Sequence, residues 1–288
     1  MPNDNVAEFL QNLPAITEGY RPENIFNADE TALYFQQLPE RTLERGHSGA
    51  SGSKRSKDRL TLMLCCSAAG EKLPPLVIGK YQNPRCFRGK DRKFLPCNYD
   101  ASKNAWMTAS IFNSWLTDLN RKMSVQKRNI LLFLDNACSH RADGTYSNIR
   151  LAFLPPNCTA VLQPIDQSII WSFKCKFRRL LLDYVIEGVD SERQGALAHK
   201  IDIYRAMIFI KLAWGELHPD TVIKSFKKVG FQTANTNDPS PEDDVEIDPE
   251  FQQYVQIDEQ LLDEELIELN VDLDEVSGNL LSLINSVF

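Results

Sequence analysis

The stretch Asn129–His140 reads NILLFLDNACSH: five apolar residues in a row, then an aspartate and an asparagine. Such a run is fit for a protein interior and bounds a buried strand, yet it delivers a charge at its carboxyl end. Burying an unpaired carboxylate costs several kcal/mol, so Asp135 must either reach solvent at the strand's edge or meet a cation.

Around this strand the pattern alternates between strands and helices. Residues 1–22 read as a short amphipathic helix and its connecting loop, with Phe9, Leu10 and Leu13 as the apolar stripe. NIFNADETALYF follows as a strand, and PERTLERGHSGASGSKRSKDR (39–59) as a polar, basic, mobile loop. RLTLMLCCSAAGEKLPPLVIGK reads as two strands about a turn at Ala69–Lys72, the first apolar on both faces. In SKNAWMTASIFNSWLTDLNRKM, Ser102 is the expected cap and Trp106, Ile111, Trp115 and Leu119 fall at helical spacing, as core. NIRLAFLPPN is a strand stopped by Pro155 and Pro156. A long helix follows from Asp166, with Ile169, Phe173, Phe177, Leu180 and Leu181 inward and Lys174, Lys176, Arg178 and Arg179 outward, ended by Gly188. Ile201–Leu217 is helical again and completes the body.

With 288 residues, 43% of them hydrophobic, the chain can bury a large core. No apolar run approaches the about 20 residues of a membrane-spanning helix, and MPNDNVAEFL lacks the basic and apolar regions of a secretory signal. The seven cysteines include no C-x-x-C pair, which argues against a disulfide framework and a zinc ribbon and for mostly buried thiols.

The net charge of −7 hides an uneven distribution. Sixteen of the 39 acids lie in residues 230–288, which have no Lys or Arg, leaving 23 acids against 32 bases in 1–229. A basic body with an acidic tail fits a nucleic-acid-linked protein. The domain boundary is therefore set at 229. Residues 230–288 are expected to be a largely disordered acidic tail with short amphipathic helices, which recruits a protein partner or folds back on the body in competition with DNA.

Three aspartates stand out by position: Asp29 inside the first strand, Asp135 after the buried one, and Asp166 at a helix start behind PPNCTAVLQPI. In an open sheet, strand carboxyl ends and the following helix starts line the ligand crevice, so the three can converge there. Converging carboxylates repel one another unless a divalent cation neutralises them, and oxygen-only ligands favour Mg²⁺ or Mn²⁺. Two such ions support in-line phosphodiester displacement. Taken singly, Asp166 reads first as an N-cap and Asp29 as a turn residue, and strand alternation sends Asp29 and Glu30 to opposite faces. His140 reads as a capping or packing residue. Lys54, Arg55, Lys57 and Arg59 on the loop, and Lys80, Arg85, Arg88 and Lys90 in KYQNPRCFRGKDRK, are candidates for phosphate contacts, with a solvated surface as the alternative.

NADETAL (Asn27–Leu33), RLTLMLCCSAAGEKLPPLVIGK (Arg59–Lys80), NAWMT (Asn104–Thr108), DNACSH (Asp135–His140) and LPPNCTAVLQPIDQS (Leu154–Ser168) resemble the catalytic domain of the pogo/Tigger transposases. That group includes the jerky and centromere protein B relatives within the mariner-like DDE superfamily, and the similarity runs over about residues 5–230. It implies an α/β fold with an RNase H-like mixed sheet flanked by helices. It also implies a catalytic and metal-binding triad of Asp29, Asp135 and Asp166 holding Mg²⁺ or Mn²⁺, DNA as substrate, and a nuclear location. The thirty residues between Asp135 and Asp166 suit the short pogo-type spacing. Family members carry tandem helix-turn-helix domains ahead of this domain, and residues 1–229 have no convincing pattern of that kind. The rival reading is a domesticated, catalytically silent nuclear factor that binds DNA or protein; a homodimer is left open.

Overall fold

The computed structural model describes residues 2–39, 58–187, 201–233 and 248–268. At its centre is a six-stranded sheet of β1 (Ile25–Leu33), β2 (Leu60–Ser67), β3 (Leu76–Gly79), β4 (Asn98–Ala101), β5 (Ile130–Leu134) and β6 (Ile149–Phe153). The spatial order is β4-β3-β2-β1-β5-β6. β2 pairs antiparallel with β1 and β3, while β1–β5, β5–β6 and β3–β4 are parallel. β2 thus runs against its neighbours, and the other five strands end on one edge of a mixed, RNase H-like sheet.

Burial follows sheet position. β2 and β5 are buried at every residue, as strands covered on both faces must be, whereas the edge strands β4 and β6 keep exposed residues. Between β2 and β3 the turn needs Gly70, at φ +84°; a Cβ there would stand 2.8 Å from the Cβ of Pro219.

Helices cover both faces. In chain order they are α1 (Pro2–Thr17), α2 (Ala109–Val125), α3 (Thr159–Leu162), α4 (Ile169–Glu187), α5 (Ile203–Glu216), α6 (Pro219–Val229), α7 (Pro249–Val255) and α8 (Ile257–Glu268). α2 packs Ile111, Phe112, Trp115, Leu116, Leu119 and Met123 against Phe26, Ala28, Leu132 and Leu134 on one face. Against the other lie α1, through Phe9 and Leu13, and the helices from α4 onward. In α4, Phe173, Phe177 and Leu181 recur at helical spacing and are fully buried, each contributing about 1.5–3 kcal/mol. α6 ends at Gly230, whose φ of +98° lets its N–H and that of Phe231 reach back to Lys227 and Phe226 carbonyls.

Three expectations need correction. The cap of α2 is Thr108, whose hydroxyl accepts from the Ile111 N–H; Ser102 instead donates to the Trp106 carbonyl, so Trp106 precedes the helix. Leu10 is exposed while Phe9 and Leu13 are buried, because the stripe of α1 is narrower than expected. Lys174 and Arg178, expected outward, are buried. Their counter-charges come from the acidic tail: residues 248–268 form the short helices α7 and α8, docked on the body. Asp258 accepts from Arg178 Nη2 at 2.5 Å and from the Tyr34 N–H at 2.7 Å, and Lys174 pairs with Glu259. Tyr254, Leu261, Leu262 and Leu266 bury themselves beside these pairs. Gly188 and the loop 40–57 lie outside the described residues.

Candidate active site

Strand alternation decides which side chains face the α4 layer. In β1, Phe26 and Ala28 pack toward α2, which sends Asn27 and Asp29 to the opposite face and Glu30 back to the α2 side. In β5, Leu131 and Phe133 belong to the α4 side and Leu132 and Leu134 to the α2 side, so Asp135, the next odd residue, points with Asp29. The parallel register Asn27↔Phe133 sets the two aspartates level, just past the last ladder pair.

Asp166 arrives from elsewhere in the chain. It sits in a 3-10 turn, Pro164–Gln167, ahead of α4. Asn27 ties that turn to the sheet: its Oδ1 accepts from the Ile165 N–H at 3.0 Å, and its Nδ2 donates to Gln163 Oε1 at 3.2 Å and to the Phe133 carbonyl at 3.1 Å. One fully buried amide thus holds β1, β5 and the Asp166 turn together.

The electrostatics follow from this crowding. Burial raises the Asp29 carboxyl well above its ordinary range, and the charges of Asp166, Asp135 and Glu30 raise it further. Burial likewise pushes Asp166 up to about 7, with Asp135 adding to the effect and a hydrogen bond with Asp29 and the Lys174 ammonium opposing it. Two carboxyls that hydrogen-bond share a proton. Asp135 is held differently: its Oδ1 accepts from the Ala137 N–H at 3.1 Å and lies 2.5 Å from His140 Nδ1. His140 Nε2 lies 3.0 and 3.1 Å from the two oxygens of Glu30. Burial alone would lower the histidine's pKa, but Glu30 and Asp135 outweigh it and push it up to about 11, so the ring is an imidazolium.

Among the described residues, no three acid, histidine or cysteine side chains close around one point as a ready cage. The donor chemistry nevertheless fits a hard cation. Asp29, Asp135 and Asp166 offer only oxygen, and the proton shared by Asp29 and Asp166 is one that a divalent ion would displace. Sequence reading overlooks Asn27, two residues before the first aspartate, and gives Glu30 and His140 no part in the site, reading Glu30 only as facing away from Asp29 and His140 as a capping or packing residue.

The expected basic contacts divide. Lys54, Arg55 and Lys57 lie outside the described residues. Arg59 is corrected: it is 2% exposed, bound to Glu265 Oε2 at 2.9 Å, to Thr61 Oγ1 and to the Asn104 carbonyl, with its guanidinium over Trp106. Its side chain is consumed inside the fold and cannot meet a phosphate there. Lys80, Arg85, Arg88 and Lys90 are exposed on the segment leaving β3, with Arg92 and Lys93 beside them. Tyr81 and Phe94, 70% and 83% exposed, stand on the same segment.

Comparison with known proteins adds a lineage. The family described as DDE superfamily endonuclease matches residues 57–226. Tigger transposable element-derived protein 4 of Mus musculus is 36% identical over 222 residues, covering 77% of this chain and 42% of that protein. Major centromere autoantigen B of Homo sapiens is 28% identical over 221 residues, covering 76% of this chain and 35% of its own length. The chain thus spans less than half of either relative. Among solved structures, the Mos1 strand transfer complex aligns over 79% of this chain and 57% of that one, at 13% identity and a TM-score of 0.45.

Proposed function

The chain belongs to the DDE superfamily endonuclease family, and from that premise we propose that it binds DNA and cleaves its phosphodiester backbone with a divalent metal, Mg²⁺ or Mn²⁺. One observation supports this reading: three carboxyls from separate parts of the chain, β1, the end of β5 and the turn before α4, lie near enough for burial and mutual repulsion to raise Asp29 and Asp166, which share a proton. Such a cluster is costly for folding alone, and clustered, perturbed acids mark functional sites.

Asp29, Asp135 and Asp166 are the residues that would hold the ion. When bound, it supplies Lewis-acid activation of the attacking oxygen and stabilisation of the leaving one. The protein's own part is positional. The sheet fixes Asp29 and Asp135, Asn27 fixes the turn of Asp166, and Lys80, Arg85, Arg88 and Lys90 hold the DNA backbone through its phosphates. Tyr81 and Phe94 add faces on which bases stack. The likeness to a transposable element-derived protein and a centromere autoantigen supports DNA as the partner and the nucleus as the place of action. No helix among the described residues is long and apolar enough to cross a membrane.

Incubation of the whole chain with supercoiled plasmid and Mn²⁺ or Mg²⁺ tests the proposal. Metal-dependent nicking that disappears in Asp135→Asn is expected. A catalytically silent DNA-binding protein would shift the plasmid in a gel without nicking it, and nicking that persists in Asp135→Asn would remove these residues from the chemistry.

A further inference from the structure

The hydrogen-bonded ladder between β1 and β5 covers Ile25–Asn27 and Leu131–Phe133 and stops before the two aspartates that these strands carry. Past that point something other than backbone pairing must keep Asp29 and Asp135 in register. On the α4 face Asn27 does this for the Asp166 turn. On the α2 face the bridge is a side chain: His140, 1% exposed, reaches Asp135 Oδ1 through Nδ1 at 2.5 Å and both oxygens of Glu30 through Nε2 at 3.0 and 3.1 Å.

Every contact of the ring restricts it. Both nitrogens face carboxylate oxygens, so both donate and the ring cannot flip to advantage. Phe112 of α2 lies against it, ring centroids 4.7 Å apart and planes 36° from parallel. A 3-10 turn, Cys138–His140, carries the histidine back under the strand end it came from, its N–H bonded to the Ala137 carbonyl. Glu30 follows Asp29 directly in β1, so the bridge joins the neighbour of one aspartate to the carboxyl of the other. With Oδ1 of Asp135 engaged by His140 and the Ala137 N–H, Oδ2 is the oxygen left for a ligand.

We propose that His140, anchored by Glu30, is a positioning residue that sets the distance and rotamer of Asp135 relative to Asp29 and selects which oxygen Asp135 presents to the metal. This rests on the metal-dependent reading above. Residues that orient a metal's ligands act through them, and their loss weakens affinity without removing a donor.

The test is calorimetric titration of the whole chain with Mn²⁺, with thermal melting of each variant as a check on folding. His140→Ala and Glu30→Ala are expected to weaken Mn²⁺ binding by about ten- to hundredfold, while Glu30→Gln, which keeps an acceptor for the Nε2 proton, stays within about threefold of wild type. That rescue separates the hydrogen bond from the charge, since both Glu30 variants remove the same charge, and the thermal melts report any loss of packing. Should His140→Ala fail to fold, Glu30→Ala breaks the bridge from its more exposed end and decides the matter. Folded alanine variants that bind Mn²⁺ as wild type does, or Glu30→Gln losing as much affinity as Glu30→Ala, would overturn the proposal. Failure of the metal site itself shows differently: wild type and Asp135→Ala would then titrate alike.

Discussion

Asp29 and Asp166 each gain a proton affinity on folding that the unfolded chain lacks, and this fixes the sign of a pH effect. An unfolded aspartate loses its proton near pH 3.9, whereas burial holds the Asp166 proton to about 7. Between these values the folded chain binds more protons than the unfolded one, so stability from this pair is full below about pH 4 and is lost as the pH climbs through 7. In chelator-treated buffer, thermal melts should therefore fall across that window. Asp166→Asn should flatten the fall and, at pH 8, stabilise the metal-free protein by on the order of 1 kcal/mol by removing a buried charge. A variant less stable than wild type at pH 8 would mean that the carboxyls do not repel. The residue scale also separates two arginines expected to act alike. Arg88→Ala should leave stability unchanged and lower the slope of log affinity for DNA against log salt by about 1, as the loss of one phosphate contact does. Arg59→Ala should unfold more easily, since it removes the buried guanidinium that pairs with the Glu265 carboxylate and donates to Thr61 and the Asn104 carbonyl.

Among the elements, α7 and α8 change most between sequence and structure. Acids alternating with leucines and no basic residue give no local reason to dock. The reason lies far off: Arg178 and Asp258, 80 residues apart, are both fully buried. Breaking a buried pair from one side costs about 3–5 kcal/mol. Asp258→Ala should destabilise by that order in urea titrations, and deletion of residues 248–288 by more, because Tyr254, Leu261 and Leu266 also leave the core. A truncated chain as stable as the full one would show that α7 and α8 do not contribute. The same distance explains what could be read and what could not. β1, β2, β5 and the approach of α4 were legible because each announces itself by local apolar pattern and a charge where the pattern stops. β4 was not, being four half-exposed residues, NYDA, on the sheet's edge. Lys174 and Arg178 looked outward because helical periodicity records polarity and not the presence of a distant carboxylate. His140 looked like a cap for the same reason: Glu30, which fixes its role, is 110 residues away.

For the whole molecule, charge and fold set the terms of the proposed DNA binding. The exposed bases after β3 can neutralise phosphates, but residues 1–229 show no sequence pattern of a helix-turn-helix that would read base edges. Binding by this chain should be indifferent to sequence, with a dissociation constant on the order of micromolar or weaker at physiological salt, and should fall steeply as salt rises. Competition with unrelated duplexes checks this, and a preference on the order of a hundredfold for one sequence would reveal a reading element. In the proposed reaction, binding and metal chemistry meet at the three aspartates. Metal binding there is tested most directly by calorimetric titration of Mn²⁺ into the wild-type chain and into Asp135→Ala. A saturable heat in the wild type that is lost in the variant is the expected result; the same isotherm from both proteins would contradict it.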